Sequence, residues 1–241
     1  MKSTLLKPLS FLDVFVRFFS GFGAGVAGSV ILLIVLFMGW GIVGNTLSPA
    51  NVTTNEFGVS EMVTGTHPLF IYFVVLASFL GILASSVSYI LMSTVVSEHY
   101  HYRTTLLTDV FFGNLVLLIL MIPVYAIMNS YFGYASIGIA AVIHAILSAI
   151  LSFFVLEIIN WSKYLLVNLY GLILGLILFA IVAVLFFSNK TIFAFFVLPL
   201  LFGFLAMGNA LAQSIYEWFY HAYGNDFLNS ENRFGDDYGD R

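Results

Sequence analysis

Cysteine is absent from this 241-residue chain, so disulfides, thiolate nucleophiles and cysteine metal sites are excluded. Charge is nearly as scarce. Charged residues make up 8% of the sequence, against about 25% in an ordinary soluble domain. No charged residue occurs between Arg17 and Glu56, Glu61 and Glu98, Asp109 and Glu157, Lys163 and Lys190, or Lys190 and Glu217. Each gap exceeds the roughly 20 residues a helix needs to cross a hydrocarbon core about 30 Å thick. A soluble fold could not hide so much oil, and the solvent implied is a lipid bilayer.

The chain also lacks catalytic signatures. There is no H-E-x-x-H, no G-x-S-x-G elbow, no glycine-rich phosphate loop and no pair of carboxylates inside the apolar runs. The expectation is a protein that is not an enzyme and carries no cofactor or metal. A nucleic-acid partner is also disfavoured, because the C-terminal tail is acidic, with Asp226, Glu231, Asp236, Asp237 and Asp240 against Arg233 and Arg241.

What is present is apolar: 61% of the residues are hydrophobic. Backbone inside hydrocarbon must satisfy its own hydrogen bonds, which leaves helices or closed barrels. Barrel strands would alternate apolar and polar positions, and these runs do not. The fold class expected is all-α, a polytopic six-transmembrane-helix bundle. Its spans are read at about 22–44, 69–96, 110–128, 136–156, 164–187 and 192–213. The uncharged stretch from Asp109 to Glu157 is too long for one crossing and is divided at Asn129, Ser130, Tyr131, Phe132, Gly133 and Tyr134, turn formers mixed with interface aromatics.

Ahead of span one, Ser10, Asp13, Arg17 and Ser20 recur at helical spacing on an otherwise apolar segment. This pattern predicts an N-terminal interfacial amphipathic helix within residues 1–20. A cleavable signal peptide fits less well, since Asp13 and Arg17 would fall in its apolar region. Residues 216–241 are read as an aromatic segment followed by an acidic disordered tail. With both termini cytoplasmic, Lys2, Lys7, Arg17, Arg103, Lys163, Arg233 and Arg241 lie inside, leaving Lys190 outside. That is the bias of the positive-inside rule, and it predicts an integral protein of the plasma membrane.

Candidate site residues are few. His144 is ionisable in mid-span, with Ser148 and Ser152 continuing its face, and Tyr125 or Asn168 are possible neighbours. A possible intramembrane polar site is therefore His144, Ser148 and Asn168. The plainer reading is a neutral histidine hydrogen-bonded between helices. Glu98, His99 and His101, with Glu217 and His221, could in principle ligate a metal, but histidines two apart diverge on a helix. Gly21, Gly25 and Gly28 form small-residue notches in span one, and Gly171 with Gly175 is a G-x-x-x-G in span five. Pro123 and Pro199 are expected to kink spans three and six.

The expected partners are the lipid bilayer and other membrane subunits. In architecture alone, an interfacial helix ahead of six spans resembles the permease subunits of ATP-driven transporters. That resemblance implies a cytoplasmic ATPase docking between Ser97 and Asp109. Two functions follow: a non-catalytic membrane-complex subunit or scaffold acting through helix packing, or a transporter or permease subunit for an apolar or weakly polar solute.

Overall fold

The computed structural model describes residues 11–46, 52–54, 60–62, 68–96, 104–132, 136–157, 165–186 and 190–219. They form six helices: α1 (Phe11–Thr46), α2 (Pro68–Val96), α3 (Thr104–Phe132), α4 (Ser136–Glu157), α5 (Leu165–Phe186) and α6 (Lys190–Phe219). Each is long and apolar enough to cross a membrane. The chain is thus an all-helical, multi-pass integral membrane protein in contact with the bilayer. The polar connection between α1 and α2 adds one feature the sequence did not announce. Strands β1 (Val52–Thr54) and β2 (Ser60–Met62) pair antiparallel there, with Thr53 opposite Glu61.

The segment expected to be a separate interfacial helix continues without a break into span one. At 36 residues α1 is about 54 Å long by helical rise. The reason lies in its polar stripe. Of that stripe, Arg17 is buried and bonds to Gln213 on α6, so this position is seated on a neighbouring helix. The turn after span three also falls later than expected. Asn129 to Phe132 remain helical, and the Ser136 hydroxyl at the start of α4 donates to the Met128 carbonyl at 2.7 Å, tying the two helices together across the turn.

Helix α1 lies between α2 and α6, and α6 in turn packs on α5. Helices α3 and α4 form a second pair, held to the rest mainly through α2. Close approach around α1 and α6 depends on missing side chains. A Cβ at Gly21 or Gly25 would strike the α6 backbone at Phe202, Leu198 and Pro199. One at Gly28 would strike the Gly81 carbonyl and the Ser85 side chain of α2. The two notches of α1 therefore receive two different helices. Gly171 and Gly175 face α6, where a Cβ at Gly171 would stand 2.7 Å from the Asn209 Cα. On the α6 side, a Cβ at Gly208 would stand 2.6 Å from the Gly171 carbonyl oxygen. The G-x-x-x-G of span five is thus occupied within the chain.

Both prolines sit inside continuous helices. Pro199 has no N–H to give the Phe195 carbonyl four residues back. The Ser29 hydroxyl of α1 donates to that carbonyl at 3.4 Å. A helix defect in α6 is thereby repaired by the helix packed on it.

Candidate functional site

Helix α4 carries a polar face into the bundle. Ser136, His144, Ser148, Ser152 and Glu157 are all buried, with Ala140, Ala145 and Ala149 beside them. Spacing of four residues stacks His144, Ser148 and Ser152 on one face, and the small alanines let neighbouring helices reach it.

Two groups of partners meet this face. The Tyr125 hydroxyl of α3 shares a 3.2 Å hydrogen bond with His144 Nδ1, and Phe79 of α2 stacks on the imidazole with ring centroids 6.2 Å apart. One turn further along, the Ser148 hydroxyl meets Ser86 Oγ of α2 at 2.8 Å and donates to Asn114 Oδ1 of α3. Asn114 uses its amide to return to the Val110 carbonyl at 2.8 Å, which holds its oxygen toward Ser148. Ser152 donates to the Ser148 carbonyl at 2.8 Å and so stays within its own helix. His144 Nε2 is buried and has no hydrogen-bond partner among the described residues.

Asn168 does not join His144 in these contacts. It belongs to a second polar group near the end of the bundle where α1 and α5 begin and α2, α4 and α6 end. Arg17 Nη1 donates to Gln213 Oε1 at 2.9 Å, Gln213 Nε2 donates to Asn168 Oδ1 at 3.4 Å, and Asn168 Nδ2 donates to the Glu157 carbonyl at 3.3 Å. This chain ties α1 to α6, α5 and α4. Beside it, Arg17, Ser20, Tyr89, Ser93, Glu157 and Asn209 line a crevice whose interior volume of about 10 Å³ has room for one water.

Arg17 is 7% exposed and Glu157 1%, the two charged side chains among the buried described residues. Both residues line the crevice together with Tyr89 and Ser93 of α2. Burying opposite charges costs several kcal/mol per ion before their attraction and hydrogen bonds offset it. Tolerance of that cost marks this end of the bundle as much as His144 marks the middle.

Sequence reasoning placed His144, Ser148 and Tyr125 near one another but did not join Ser86 or Asn114 to them, because no local spacing connects either to α4; Asn114 is legible only as an interhelical hydrogen-bonding residue. It read Arg17 as part of an interfacial stripe and Glu157 as a span terminus. The available signal was the isolation of each charge within an apolar stretch. Among the described residues no three His, Cys, Asp or Glu side chains gather to hold a metal. Glu98, His99, His101 and His221 lie outside the described residues, as do most of the connection from Ser97 to Asp109 and the tail beyond Phe219.

No protein family, no characterised protein and no solved structure matches this chain.

Proposed function

We propose that the protein is a non-catalytic membrane-embedded subunit or scaffold that works by helix packing within a larger assembly. The observation that supports this reading is how the interior is filled. Glycine notches are closed by backbone, the polar side chains of α2, α3 and α4 bond to one another, and the crevice beside Arg17 and Glu157 admits one water. Because the small-residue notches are used within the chain, contacts with other subunits fall to the apolar outer faces and the loops.

In this reading both termini are cytoplasmic and the protein resides in the plasma membrane, whereas an ATPase docking between Ser97 and Asp109 would favour the transporter reading below. Extraction in a gentle detergent followed by mass measurement of the intact particle tests the proposal. A stoichiometric complex is expected, whereas a monomer that supports solute flux alone in proteoliposomes would defeat it. Orientation is tested by Asn55→Cys in the cysteine-free background, which should react only from outside.

A second reading, a transporter or permease subunit for an apolar or weakly polar solute, is favoured by the buried polar face of α4. It predicts that His144→Leu abolishes flux while folded yield is unchanged. Loss of the fold itself would assign His144 to packing.

A further inference from the structure

Beyond its role as a packed subunit, the chain carries a shaped groove on its lipid-facing side. Leu166, Tyr170, Ile173 and Ile177 of α5 form one wall, with Tyr216 and Phe219 of α6 opposite, around an open volume of about 670 Å³. The lining is apolar apart from the two tyrosine hydroxyls. Its width is set from behind. Gly171 and Gly175 hold α5 against Gly208 and its neighbours, so the two helices are pinned on their inner side where the groove opens on the outer one.

We propose that this groove holds one acyl chain of a phospholipid from the leaflet at the end of the bundle where α5 begins. Its length is the first reason. From Leu166 to Ile177 the α5 wall runs about 17 Å at 1.5 Å per residue, which is one leaflet of a hydrocarbon core about 30 Å thick. A partner transmembrane helix would need a track through both leaflets. The groove is also continuous with the bilayer contact already described, since Leu166, Tyr170, Ile173 and Ile177 are all well exposed on that face. At its mouth the aromatic types match the headgroup level: Tyr216, Trp218 and Phe219 are exposed at the end of α6.

The test uses the full chain purified in detergent, stripped by repeated exchange and offered a mixture of phosphatidylglycerol and phosphatidylcholine. Native mass spectrometry should find a phospholipid retained, from either headgroup class, because the contact proposed is with the acyl chain. Ile173→Trp, which fills the groove, should lower retention at least about tenfold. Ile181→Trp, exposed further along the same helix, should leave it unchanged. Independently of folding in the tryptophan variants, a photo-crosslinker on Ile173→Cys in vesicles should give a lipid adduct. The proposal is overturned by a stripped protein that retains no phospholipid, by equal retention in Ile173→Trp and wild type, or by a crosslink to a second copy or to another protein.

Discussion

Around α1 the helices are joined by subtraction, and between α2, α3 and α4 by addition. Gly21, Gly25 and Gly28 remove side chains so that α6 and α2 can bring their backbones against α1. Ser86, Asn114, Tyr125, His144 and Ser148 instead fill the space between helices with hydroxyls, an amide and an imidazole bonded across the seams. In hydrocarbon there is no hydrophobic drive between helices, so association rests on close packing or on hydrogen bonds. The two devices differ in tolerance. A backbone contact cannot yield to an added methyl, whereas a side-chain hydrogen bond across a seam is worth about 0.6 kcal/mol on average and at most about 2 kcal/mol.

The largest effect should come from the glycine side. Gly28→Leu forces a branched side chain into Gly81 and Ser85, and is expected to cost about 3 kcal/mol or to prevent folding, read as folded yield and unfolding midpoint in detergent. Gly138→Ala, where an added Cβ meets nothing within 4 Å, should be neutral in the same assay. Equal effects at the two positions would show that backbone contact does not set the cost at Gly28.

Next in size is the charged end of the bundle. Gln213→Leu removes one acceptor of a buried guanidinium and should cost about 2 kcal/mol, as for hydrogen bonds to charged groups. A double-mutant cycle of Arg17→Leu with Gln213→Leu should show coupling of at least about 0.5 kcal/mol. Additive losses would dissolve that link between α1 and α6.

The neutral polar seam should be softer. Asn114→Leu, which deprives Ser148 of its acceptor, is expected to lower stability by about 1 kcal/mol. A loss as large as that of Gly28→Leu would mean that both seams depend on steric fit. Smallest is the repair in α6. Ser29→Ala should cost about 0.5 kcal/mol in the native chain and nothing once Pro199→Ala restores the helix bond to Phe195, if both proteins fold equally. An undiminished cost in the Pro199→Ala background would show that Ser29 is not repairing the proline gap.

Legibility from sequence followed the range of the physics involved. The six helices were readable because the need to satisfy backbone in lipid acts locally on each run of some 20 residues, as in α5 from Leu165 to Phe186. Glycines four apart announced notches, but not that Gly21 and Gly25 face α6 while Gly28 faces α2. His144 stood out as an ionisable group in mid-span. Asn168 was grouped with it on polarity alone, yet its partners are Gln213 and the Glu157 carbonyl. The polar stripe of residues 10–20 had the period of an interfacial helix, but its Arg17 is buried and meets Gln213 on α6.

Composition alone therefore determined the solvent, the helical class and the number of crossings, because hydration of apolar surface and of backbone is summed over each segment without regard to the others. Tertiary structure decided which polar groups share a seam, which helix closes each glycine notch and where the two buried charges converge. Those outcomes depend on contacts between residues as far apart as Arg17 and Gln213, whose pairing no local period encodes.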